Sequence, residues 1–85
     1  MKTIDFYNFA VMAAKERGYS NPNITVHTLC DSNGIKHICK LWDNDKKKHI
    51  SSTLQNNPVS AIQAFKDAID FENKTYSKMS EDVEL

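Results

Sequence analysis

The stretch Asn23–Asp43, NITVHTLCDSNGIKHICKLWD, decides how this chain folds. Its first half alternates, with Ile24, Val26, Thr28 and Cys30 on one side and Thr25, His27 and Leu29 on the other, the period of a strand with one face in a core. Asn33-Gly34 follows, two residues that tolerate the positive φ of the primed turns joining antiparallel strands. IKHICKLWD is then the returning strand. An even-length loop places Ile24, Val26, Thr28 and Cys30 on the face of Ile35, His37, Cys39 and Leu41. Lys36, Ile38, Lys40 and Trp42 then share the other face with His27 and Leu29. An odd loop or a bulge exchanges the two sets.

On the N-terminal side, residues 3–18 have no interior Gly or Pro, with Thr3 placed to cap a helix and Gly18 and Pro22 to stop it. Ile4, Tyr7, Val11 and Ala14 fall at helical spacing, but Phe6, Phe9, Ala10 and Ala13 widen the apolar arc. Such a helix is buried on more than one side, or lends a face to a partner. On the C-terminal side, DNDKKK is a polar turn and KKHISSTLQ a third strand of low hydrophobicity, suited to an edge. Asn57-Pro58 has the form of an N-cap followed by proline in the first helical turn. Ile62, Phe65 and Ile69 form the apolar stripe of the second helix, with Ala61 and Ala68 beside it. The expected fold is α+β: a two-layer sandwich of order α-β-β-β-α, with an antiparallel three-stranded sheet and two helices on one face. Residues 1–76 form this single domain, and 77–85 are read as an acidic, flexible tail.

Eighty-five residues supply one modest core. Eleven basic and eleven acidic residues leave no net charge, so attraction to phosphates rests on local patches. The first nineteen residues carry Asp5 and an apolar run broken by Asn8, unlike a signal peptide, and no stretch is long enough to span a membrane. A cytoplasmic location with reduced Cys30 and Cys39 is expected.

Several local features place the chain beside a known family: ERGY closing the first helix, Pro22 before the first strand, GIKH in the hairpin, Leu41 further along that strand and the alanine-rich AIQAFKDAI. Over roughly residues 4–71 the chain resembles a double-stranded-RNA-binding domain. The resemblance implies duplex RNA held by the first helix, the first hairpin loop and a lysine cluster opening the second helix, which together read shape, 2′-hydroxyls and phosphates. The matching contacts here are Lys15, Arg17, Gly34, Lys36 and His37. The second helix, however, opens with NNPVSA and carries no cation there, and Ile35 stands where the family has proline. Lys46, Lys47 and Lys48 lie in the turn at the opposite end of the meander, where a solvated turn that keeps the edge strand soluble is the favoured reading and an electrostatic patch the other.

Cys30, His37, Cys39 and His27 carry zinc-binding chemistry, but their spacing matches no common zinc signature, and buried packing is favoured. A disulfide is disfavoured because even registers do not set the two cysteines opposite each other. Cys30 facing His37 is a conceivable nucleophile and base pair, yet no cleft accompanies it and only Gly18 and Gly34 are available for a phosphate loop. No catalysis, cofactor, metal or small-molecule substrate is expected. Trp42 shares the helix-free face with Leu29, Ile38 and Lys40, apolar groups ringed by charge as at the centre of a protein interface. The expectation is a non-catalytic binding domain that contacts a protein partner, or a second copy of itself, through Leu29, Ile38, Lys40 and Trp42. The alternatives are nucleic-acid binding and a mobile-element inhibitor of a host enzyme.

Overall fold

A computed structural model describes residues 2–84 along the backbone and the side chains of residues 2–74. The order is α1 (Thr3–Glu16), β1 (Asn23–Asp31), β2 (Gly34–Asp43), β3 (Lys48–Ser51) and α2 (Pro58–Glu84). The strands form one antiparallel sheet in the order β1-β2-β3, and both helices pack on one face. This is the expected α+β architecture. The expectation of a solvated tail over 77–85 concerns side chains outside the described residues, along which the backbone continues as helix to Glu84.

The hairpin turns one residue earlier than the Asn33-Gly34 signal suggests. Ser32 and Asn33 are the turn residues, Asp31 faces Gly34, and of these four only Gly34 has a positive φ, at 111°. The cause is Asp31: its Oδ1 accepts the Asn33 N–H at 2.8 Å, closing an Asx turn with aspartate at the first position and glycine at the fourth, as type I turns favour. The loop is still two residues long, so the two faces stand as expected for an even loop. Ile24 pairs with Leu41, Val26 with Cys39 and Thr28 with His37 on the helix-covered face.

The core is built from Phe6, Ala10, Ala13 and Ala14 of α1, Ile24, Cys39, Leu41 and Ile50 of the sheet, and Ala61, Ile62, Phe65 and Ile69 of α2. Phe6, Phe65, Leu41, Ile69 and Cys39 are fully enclosed, each large apolar side chain contributing about 1.5–3 kcal/mol on burial. Alanines at both helix contacts let α1 and α2 lie close over so small a sheet. Thr3 does not cap α1. The capping position is Lys2, with no side-chain bond, and Phe6 N–H reaches the Lys2 carbonyl at 3.0 Å. The other end closes as expected at Gly18, with φ 100°. Gly18 N–H bonds the Lys15 carbonyl and Tyr19 N–H the Ala14 carbonyl, a Schellman arrangement. Asn57 caps α2 as expected, its Oδ1 accepting the Ser60 N–H at 2.8 Å.

The third strand is shorter than KKHISSTLQ implies. Regular pairing ends at Ser51, opposite Lys40, and resumes as a single bridge between Gln55 and His37. Residues 52–54 of the outer chain stand against Ile38 and Cys39 alone, one residue more than the ladder accommodates, which is a bulge. Ser52 makes this possible: its N–H donates to the Cys39 carbonyl at 2.9 Å, and its buried hydroxyl accepts the Cys39 N–H at 3.0 Å. Ser52→Ala leaves that buried N–H unsatisfied and lowers the unfolding free energy by about 1–3 kcal/mol, whereas Ser51→Ala, at an exposed position, changes it by about 0.5 kcal/mol or less. Equal effects in denaturant titrations would refute this role for Ser52.

Candidate functional site

The strand alternation that buries Cys39 and Leu41 turns Lys36, Ile38, Lys40 and Trp42 to the face without helices. Across from them stand Leu29, His27, Thr25 and Asn23 of β1 in register, and on the other side Trp42 meets His49 of β3. Leu29 is half exposed, Ile38, Lys40 and Trp42 are partly covered, and the Trp42 ring approaches His49 edge-on with centroids 4.9 Å apart. The four residues expected to form a protein contact thus occupy one sheet face. Lys36 on this face is held by Asn56, whose Oδ1 accepts its ammonium.

The residues expected to contact nucleic acid are divided between the two ends of the sheet. Gly34, Lys36 and His37 lie at the hairpin end, where Thr3 and Pro58 begin the two helices around a shallow hollow lined by Phe6, Thr28, Ile35 and His37. His37 does not project from a loop. It lies on the helix-covered face, edge-on to Phe6 with ring centroids 5.8 Å apart, and Nδ1 is 3.1 Å from Thr28 Oγ1. At the other end Arg17, Lys46 and Lys48 surround a second hollow with Tyr19, Asp43, Asp45 and Glu72. The charges there cancel: three cations face three carboxylates. Lys48 Nζ is 2.7 Å and Lys46 Nζ 3.8 Å from Glu72 Oε1, while Arg17 donates to Asp70 at 2.9 Å and to the Ala13 carbonyl. Lys47, with φ 55°, bonds Asn44 within the turn, and Lys15 is exposed on α1.

Sequence reasoning missed the centre of this second cluster. Asp43 is 5% exposed, and its Oδ1 accepts the N–H groups of Asp45 and Lys46 at 3.0 and 2.9 Å while Oδ2 accepts the Tyr19 hydroxyl at 2.9 Å. Burial pushes the carboxyl up, but these hydrogen bonds and the Lys46 ammonium outweigh it and hold Asp43 below the usual carboxylate range. Tyr19 moves the other way, to about 12, through burial and then the hydrogen bond to and charge of Asp43. The available signal was DND, an aspartate two residues before a turn aspartate; nothing in the sequence points from it to Tyr19.

Cys30 and His37 do not face each other, because the earlier turn sets Ile35 against Cys30 and Thr28 against His37. Cys30 is exposed and Cys39 buried, with burial raising the Cys39 thiol to about 12. His27 falls on the opposite face from Cys30, His37 and Cys39. Among the described residues no group of three or more His, Cys, Asp or Glu side chains is arranged to hold a metal ion, and no helix is long and apolar enough to cross a membrane.

No protein-family model matches the chain, and comparison with curated proteins and with solved structures returns no significant match. The α-β-β-β-α topology is compatible with the double-stranded-RNA-binding-domain fold.

Asp43 makes stability depend on pH in a defined direction. Its folded-state pKa lies below the unfolded value of about 3.9, so its contribution is complete above that value and is lost as pH falls through the folded pKa. Asp43→Asn is expected to destabilise the fold at pH 7 by about 1–3 kcal/mol, with the gap to the parent chain closing on acidification below about pH 4. A gap constant with pH in thermal melts would remove the carboxylate's charge from the account. The Tyr19 contribution has the opposite sign, present below pH 10 and lost as pH rises through about 12.

Proposed function

We propose that this chain is a non-catalytic binding domain with a double-stranded-RNA-binding-like fold whose open sheet face receives another protein. The observation that carries the reading is the composition of that face: Leu29 and Ile38 are diagonal neighbours across β1 and β2, Trp42 lies four residues further along β2, and Lys36, Lys40 and His27 stand among them. Exposed aromatic and aliphatic side chains set among polar groups are features of protein contact surfaces, in which tryptophan is enriched among the residues that dominate the binding energy. The cations at the β2–β3 end, Arg17, Lys46 and Lys48, are engaged by Asp70 and Glu72, and α2 opens without a cation.

Two measurements test the proposal. Labelled duplex RNA and duplex DNA, titrated with the chain at low and physiological salt, are expected to show no binding that weakens steeply with salt; such binding, at a log–log slope set by the number of phosphates neutralised, would overturn the proposal. A photo-crosslinking residue in place of Leu29, in cells that make the chain, is expected to capture protein, and to lose that capture when Trp42→Glu and Ile38→Glu are added to a chain whose circular dichroism is unchanged. Capture of nucleic acid instead would reverse the assignment.

A further inference from the structure

The two edges of the sheet are built differently. His37 exchanges both backbone bonds with Gln55, and Cys39 directs both its N–H and C=O to Ser52. These residues of β2 therefore face β3, and the alternate residues Lys36, Ile38 and Lys40 face β1. Their partners Leu29, His27 and Thr25 are engaged in turn, which leaves the N–H and C=O groups of Ile24, Val26, Thr28 and Cys30 along the outer edge of β1. No backbone bond from another described segment reaches them.

Exposed edges are normally blunted by shortness, lysine, proline or a bulge. The β3 edge has three of these: four residues, Lys48 and the Ser52 bulge. The β1 edge has none. It is nine residues long and contains no Lys, Arg, Pro or Gly.

A second feature lies over the same edge. Phe9 of α1 borders a groove with Val59, Ile62 and Lys66 of α2, so the opposite flank of α1 points away from α2 and overhangs β1. That flank carries Ile4, Tyr7 and Val11 at positions i, i+3 and i+7. Ile4 is 60% and Tyr7 37% exposed, while Val11 packs in part against the core.

We propose that the outer edge of β1 pairs antiparallel with the same edge of a second copy of this chain, joining two three-stranded sheets into one of six strands beneath apposed α1 flanks. A two-fold axis through His27 sets Val26 opposite Thr28 and Ile24 opposite Cys30 of the second copy, so every outward donor meets an acceptor and helix-side residues meet helix-side residues. Asp31 falls opposite Asn23, which avoids like charges at the ends, and the uncharged whole adds no net repulsion. The partner is a second copy because strand edge and helix flank are self-complementary about one axis.

Sedimentation of the full chain across a concentration series is expected to show a dimer. Thr28→Pro removes an outward N–H that bonds nothing in the sheet, and Tyr7→Glu charges the helix flank without touching β1. Each is expected to raise the dissociation constant at least about tenfold, equivalent to about 1.4 kcal/mol, with circular dichroism preserved. In the parent chain the Val26 and Thr28 amides are expected to resist hydrogen exchange to the same degree as the β2-paired His27 and Leu29 amides, and to lose that protection on dilution. Ile38→Glu with Trp42→Glu leaves the dimer intact. A monomer at all concentrations with freely exchanging Val26 and Thr28 amides overturns the proposal. So does a dimer that dissociates only in the Ile38/Trp42 variant, which would transfer self-association to the open sheet face.

Discussion

The central strand β2 is hydrogen-bonded on both sides, and the direction in which each of its residues spends its backbone groups governs the molecule. Once Asp31 closes the turn over Asn33, Ile24 must meet Leu41 and Val26 must meet Cys39. That register places Cys39 and Leu41 under the helices and Trp42 outside. A slip of one residue would carry the buried set into water and bring lysines into the core, at a cost far beyond what a domain of this size can absorb. The constraint is local in origin, one carboxylate and one amide, yet it sets which residues meet along the whole hairpin.

The element order was legible because each element announced itself by a different physical device: strand alternation, the helix stop at Gly18, and proline after an N-capping asparagine at Asn57-Pro58. The even-loop register was legible for the same reason, since hydrophobic alternation in β1 and β2 agreed with it. The turn position was not, because Asp31-Ser32-Asn33-Gly34 contains two overlapping turn signals, and a side-chain bond decided between them. The Ser52 bulge was hidden by a pair of adjacent serines of which only one is buried. Thr3 was misread as a cap because residue preference alone cannot reveal where the first helical turn begins.

The candidate surfaces were legible to the same degree as the register beneath them. Leu29, Ile38, Lys40 and Trp42 could be grouped from alternation alone. The basic residues could not, because their neutralisation depends on contacts distant in sequence: Arg17 with Asp70, and Lys46 and Lys48 with Glu72. Such pairings follow from the angle at which α2 crosses the sheet, which no local pattern encodes. They convert what looks like a lysine-rich tip into an overall neutral buttress between the β2–β3 turn and α2.

The edge-on contact of Trp42 with His49 has an optical meaning as well as a structural one. Trp42 is the sole indole of the chain, and the ring it meets edge-on, His49, belongs to β3, seven residues further along. The indole therefore sees an imidazole only when β3 has docked, and its emission registers that docking separately from formation of the first hairpin. The chain carries, without labelling, a spectroscopic clock for the order in which its strands assemble.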